Sequence, residues 1–176
     1  MRENIELWLA LGIYLYSIYL LNSDGLSSIK NGILLCASVV IGVHLSKLGS
    51  AFMLPYFCVQ CISDKKEKKV YSALNYVVIL CAVLYNGLTW WNILMCLALL
   101  LLSSRYGSGD VKCMIAMCIL LRQPLFGDSV FCMLFYMFIS ELVFIITRFV
   151  KKVPKKERTA FFPAMLFGYC AMLVLL

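Results

Sequence analysis

Gly107-Ser108-Gly109-Asp110 separates two apolar runs and sets an ionisable carboxylate beside a backbone almost free of side chains. A carboxylate at the margin of hydrocarbon is costly, so an aspartate there is a candidate for chemistry and its partner is worth seeking. Asp24, which follows the first apolar run, is the partner the sequence offers. Two carboxylates a few ångströms apart resist double ionisation: one takes a proton from water while the other, still protonated, polarises a carbonyl. That division of labour hydrolyses peptides. Gly107 and Gly109 lack Cβ atoms and let an extended chain approach closely. The same four residues equally suit a plain turn in which Asp110 caps the next helix.

Other chemistry-bearing residues fall around this pair. Lys112 is expected near Asp110, where it favours the carboxylate form or snorkels to the interface. Glu141 interrupts the seventh apolar run, either tuning the site or as a neutral acid bonded to another helix. Cys58-Val59-Gln60-Cys61 has zinc-like spacing, but structural zinc takes four ligands and no second pair follows; no metal is expected. His44 is the only histidine and falls on the far side, so no Ser-His or Cys-His arrangement reaches the aspartates. Asp128, in Phe126-Gly127-Asp128, also falls on that far side and reads as a loop or cap residue.

The elements that must position these residues are membrane helices. With 63% hydrophobic residues and a mean hydropathy of +0.91, the chain reads as an all-α, polytopic transmembrane bundle forming a single domain over residues 1–176. Eight apolar segments are expected: Ile5 to Leu21, Ile29 to Leu45, Leu48 to Ile62, Tyr71 to Gly87, Trp90 to Ser104, Val111 to Leu125, Ser129 to Val150 and Thr159 to Leu176. The third is the weakest, being short and interrupted by Pro55. The first lacks a cleavage pattern and reads as a retained helix. Placing the N-terminus outside puts every Lys and Arg except Arg2, Lys47 and Arg122 on the cytoplasmic side, as positive-inside topology requires. Asp24 and Asp110 then share the cytoplasmic face. The net charge of +7 sits in short clusters between apolar runs, which points to topology and anionic-lipid contact and not to nucleic acid. Most of the nine cysteines lie within apolar runs and behave as small hydrophobes.

The region from Gly107 to Lys112 resembles the type IV prepilin peptidase family, which includes the preflagellin peptidases and whose signature is G-x-G-D-x-K. The family's other aspartate precedes an Ile-Pro-Asn-like element, and Asp24 to Asn31 is similar to it with Lys30 in place of proline. A Pro-Phe-x-Pro-x-x-x-x-Gly stretch entering the family's last helix is similar to Phe161 to Gly168, which keeps Pro163 and the glycine. The stretch from about Val43 to Asn86 fits poorly: the family has two crossings between its aspartates whereas four separate Asp24 from Asp110, so an extra hairpin is expected within about residues 46–87. Signal peptide peptidases and presenilins share Gly-x-Gly-Asp but are much longer, and their first aspartate follows a tyrosine within a helix.

This resemblance implies a membrane aspartyl endopeptidase in the cytoplasmic membrane, with Asp24 and Asp110 as its catalytic pair. Gly107, Gly109, Lys112, Asn31, Pro163 and Glu141 are expected to support the substrate. It implies a prepilin-like precursor as substrate, with membrane lipid as surroundings and no metal or organic cofactor. Bacterial members with N-methylating activity carry a cytoplasmic region that is missing here, so cleavage without methylation is expected. A proton- or ion-coupled transporter, with carboxylates staggered through the bilayer, and a catalytically silent assembly scaffold are the rival readings.

Overall fold

The structure, a computed structural model, describes residues 2–45, 49–67, 69–101, 107–121, 129–152 and 160–175. These residues form eight helices and no strand: α1 Arg2–Ser23, α2 Ile29–Leu45, α3 Ser50–Glu67, α4 Ser72–Asn86, α5 Trp90–Leu101, α6 Ser108–Leu120, α7 Ser129–Val150 and α8 Phe162–Leu175. The all-helical expectation holds, and each apolar segment has its helix. Asp128 lies outside the described residues, as do Lys47, Lys68, Arg105, Arg122, Lys155, Lys156 and Arg158.

The segment weakest in sequence is the most enclosed in space. Every residue of α3 from Ala51 to Gln60 is buried, because α1, α2, α4 and α8 all pack against it. A helix surrounded by helices needs no lipid-like face. Its polar residues survive burial because other elements supply partners: Ser50 Oγ donates to the Gly42 carbonyl at 2.6 Å, and Glu6 Oε1 of α1 accepts from the Ala51 N–H at 3.2 Å. Glu6 thus satisfies one of the unpaired donors at the start of α3. At Gly42 a Cβ would run into the backbone of Ser50 and Ala51, so the α2–α3 contact is close enough to require glycine.

α6 is the second organising element, packed against α4, α5 and α7. Its last carbonyls are capped from two neighbours. Asn86 Nδ2 donates to the Ile119 carbonyl at 2.7 Å, and Asn92 Nδ2 donates to the Cys118 carbonyl at 2.8 Å.

Several polar residues are buried and many large apolar ones are exposed, although the core itself is mainly hydrophobic. Gln60, Asn75, Asn92, Ser17 and Ser140 are buried, while Trp8, Tyr19, Val40, Trp90, Phe138 and Phe149 are exposed. Two helical stretches, Asn4–Ser23 and Phe131–Val150, each 20 residues, are long and apolar enough to cross a membrane. Ile29–Leu45, Ser72–Asn86, Asn92–Leu101 and Phe162–Val174 are apolar but shorter.

Candidate functional site

Asp110 is carried by the first turn of α6, whose N-cap is the extended Gly107 (φ −63°, ψ 147°). It is therefore not itself the cap. Its side chain folds back toward Gly107, where an added Cβ would stand 3.0 Å from Asp110 Oδ2. Gly109 is glycine for a different reason: a Cβ there would stand 2.7 Å from Val70 Cγ1, in the connection between α3 and α4. The two glycines thus make room for a carboxylate on one side and for a neighbouring segment on the other.

That neighbouring segment is held by buried amides. Asn75 Nδ2 donates to the Gly109 carbonyl at 3.4 Å, while Asn75 Oδ1 accepts from Tyr56 OH at 2.8 Å and from Gln60 Nε2 at 2.7 Å. Gln60 completes the link by donating to the Tyr71 carbonyl at 3.1 Å and accepting from the Tyr71 N–H at 2.9 Å. α3, α4 and α6 are therefore joined beside Asp110 by one buried network with both amide groups engaged.

Two further aspartates lie at this end of the bundle. Asp24 follows the last turn of α1 and is exposed. It lies beside the Tyr71 hydroxyl, a buried group. Burial pushes the Tyr71 phenol up, and the nearby Asp24 carboxylate raises it further. Asp64, by contrast, is only 7% exposed. It lies in the last turn of α3, and its Oδ2 accepts the Phe162 N–H at 3.2 Å. Phe162 is the first residue of α8, so this contact satisfies an otherwise unpaired helix donor and places the anion at the favourable end of the helix dipole.

Asp64 and Asp110 border the same buried cluster. Asp110 is within electrostatic reach of Tyr56, Cys113 and Tyr136, and Cys61 feels both Asp64 and Cys113. The Tyr56 ring stands edge-on to Phe162 with centroids 6.2 Å apart. The candidate site is thus three carboxylates at one end, two of them flanking an aromatic and thiol cluster. Asp64 was missed in the sequence because it adjoins Lys65 and Lys66, read only as topology signals. The available signal was its position: two helices, α4 and α5, separate it from Asp110.

The remaining candidates divide. The Lys112 ammonium lies over the Tyr76 ring, 4.2 Å from its centroid. Asn31 Nδ2 donates to the Leu26 carbonyl at 2.7 Å and its N–H to Ser28 Oγ at 3.2 Å, closing the turn after Asp24. Pro163 occupies the first turn of α8, where a missing N–H breaks no helical bond. Glu141 lies on α7, three residues before Phe144, whose ring packs against Phe161 with centroids 5.0 Å apart. It is therefore within about one helical turn of the level at which α8 begins. Cys58 and Cys61 gain no further ligands: among the described residues no three of His, Cys, Asp or Glu gather as a metal site.

Comparison of the chain with family models, with curated proteins and with solved structures finds no match.

Proposed function

We propose that this chain is a multi-pass protein of the cytoplasmic membrane and an aspartyl endopeptidase of the prepilin peptidase type. Its substrate is a prepilin-like precursor, cut at the junction between a polar leader and an apolar helix, without subsequent methylation. Membrane placement is supported by the exposed aromatic and aliphatic residues, which would be an aggregation liability in water, together with the polar side chains buried between helices. The observation that carries the reading is that Asp110 and Asp64 act on neighbouring thiols of one buried cluster, Asp110 on Cys113 and Asp64 on Cys61, which also lies near Cys113.

Asp64, in place of the expected Asp24, is the better partner for Asp110. It is buried, so its carboxylate is shielded as a peptide-hydrolysing pair must be, whereas Asp24 is exposed. Counting from Asp64 also leaves two crossings before Asp110, the number the resemblance calls for, and makes α1 and α2 the additional hairpin. The pair shares one proton when it closes on a peptide; water attacks the scissile carbonyl as one carboxylate accepts its proton and the other donates. Asp110 stands in the first turn of α6 and Asp64 accepts the Phe162 N–H, so both carboxyl groups are held at helix N-termini. Gly107 and Ser108 are exposed beside Asp110, and the extended leader junction lies along their backbone, while Gly109 is covered by Val70. A transport pathway needs free carboxylates staggered in depth; Asp24, Asp64 and Asp110 lie at one end, and Glu6 at the other is engaged by the Ala51 N–H.

The test is cleavage of a synthetic prepilin-like peptide by purified protein, followed by mass spectrometry. Asp64→Asn and Asp110→Asn are each expected to lose roughly a hundred- to ten-thousand-fold in rate, with Asp24→Asn within a few-fold of the parent. Loss in Asp24→Asn with activity kept in Asp64→Asn restores the pairing first expected from sequence. Undiminished cleavage by Asp110→Asn rejects the mechanism.

A further inference from the structure

An apolar groove of about 360 Å³ opens between α2 and α8 with α3 as its floor, lined by Leu34, Ile41, Leu54, Cys58, Cys170 and Leu173 among others. It presents no free polar group, since the Ser38 hydroxyl within it donates to the Leu35 carbonyl at 2.7 Å. Helical spacing determines what stands at its end. On α2 the lining residues Leu34, Ser38, Ile41 and Leu45 form one stripe, and one turn earlier that stripe begins with Lys30. On α3 the stripe through Leu54 and Cys58 continues to Lys65. Both lysines are exposed, and neither forms an ion pair among the described residues; Glu67, the nearby exposed-side acid, is bonded to Lys69 at 3.7 Å. Two cations thus stand over one end of a slot that is otherwise hydrocarbon.

We infer that this groove holds one acyl chain of an anionic glycerophospholipid, with Lys30 and Lys65 bound to its phosphate. Charge selects the class, because basic residues at the cytoplasmic end of a cleft between membrane helices attract anionic headgroups. Length argues against a second helix as occupant. From Leu34 to Leu45 the groove runs ~16 Å along α2, about the depth of one leaflet, whereas a transmembrane helix needs the full ~30 Å. The site depends on the membrane placement proposed above and not on hydrolysis, so inactive Asp110→Asn protein serves equally well.

The experiment is native mass spectrometry of the full chain released from nanodiscs containing equal phosphatidylglycerol and phosphatidylcholine. One phosphatidylglycerol per chain is expected to remain bound. Lys30→Gln with Lys65→Gln is expected to weaken its retention about 30-fold, and Lys151→Gln with Lys152→Gln to leave it unchanged. Ala37→Phe, which fills the groove without altering charge, is expected to lose the lipid and to change alkylation of Cys170 in protein shown by circular dichroism to be folded. Equal retention of phosphatidylcholine overturns the inference, as does retention indifferent to both the lysine and the Ala37 substitutions. Displacement of the bound lipid by an apolar transmembrane peptide, independent of Lys30 and Lys65, assigns the groove to a helix and overturns it too.

Discussion

The Phe162 N–H donates to Asp64 Oδ2 across 3.2 Å, joining the last turn of α3 to the first turn of α8 although 98 residues separate them. One carboxylate is thereby both a helix cap and the proposed catalytic partner of Asp110. The two duties can be separated experimentally.

Asparagine retains an oxygen that accepts from Phe162 but has no proton to exchange with water. Asp64→Asn is therefore expected to keep thermal stability near that of the parent while cleavage collapses. Asp64→Ala loses the cap as well and is expected to unfold more easily by about 0.5–2 kcal/mol. Unfolding followed by circular dichroism in detergent, alongside the peptide assay, checks both; an Asp64→Asn protein as unstable as Asp64→Ala would make the residue structural alone.

Gly109→Ala places a Cβ 2.7 Å from Val70 Cγ1, so either the α3–α4 connection or the start of α6 must shift. Cleavage is expected to fall at least tenfold, because small displacements of a reacting group are costly. Val70→Ala removes the two Cγ methyls and leaves the Val70 Cβ at 3.0 Å, so the double substitution is expected to recover part of the rate. No recovery would locate the glycine's role in peptide approach and not in this contact.

Asn75 bonds Tyr56 and Gln60 at once and reaches the Gly109 carbonyl. Asn75→Leu takes the acceptor from the buried Tyr56 hydroxyl, while Gln60 keeps its bonds to Tyr71, with an expected loss of about 1–3 kcal/mol. Chemical denaturation should show a lower midpoint for Asn75→Leu than for Tyr56→Phe, which removes only one donor.

Lys112 lies on the Tyr76 ring, so its charge serves that contact. Lys112→Gln is expected to cost about 0.5–1 kcal/mol, with no further loss when Tyr76→Leu is added. The pH profile of cleavage should stay in place. A profile shifted by Lys112→Gln would show that the ammonium acts on the carboxylates instead.

The raised Tyr71 phenol has a signed consequence for alkaline stability. A group whose folded value exceeds its unfolded value, here ordinarily near 10, favours the folded state while protonated. That contribution is complete below about pH 10 and disappears as pH rises through the folded value. Tyr71→Phe is expected to flatten this part of the stability curve, measured as melting temperature against pH.

The helices were legible because apolar runs bounded by Asp24-Gly25, Gly87 and Gly107 leave little choice of boundary. The third was underrated for a physical reason: hydropathy measures fitness for lipid, and a helix enclosed by other helices is under no such demand. Beyond the apolar limit at Ile62 it continues through the exposed Lys65 and Lys66 to Glu67. Asp110 and its glycines announce themselves by local pattern. Asp64 does not, since its burial is created by α8, far away in sequence, and its immediate neighbours Lys65 and Lys66 disguise it as part of a solvated charge run. Lys112 is expected near Asp110 from the sequence; in the structure its ammonium lies over the Tyr76 ring, and residues two apart on a helix do not face each other.

The enclosure of α3 also bears on how the chain is made. On the membrane placement proposed above, this helix, with Gln60, Ser63 and Asp64 along it, gains little by entering lipid alone as it leaves the ribosome. It becomes favourable only when α4 and α8 arrive with Asn75 and the Phe162 N–H. Biogenesis should accordingly be late and concerted: nascent chains stopped before α4 are expected to leave α3 outside the bilayer, and glycosylation reporters placed after Glu67 would reveal its entry only in longer chains.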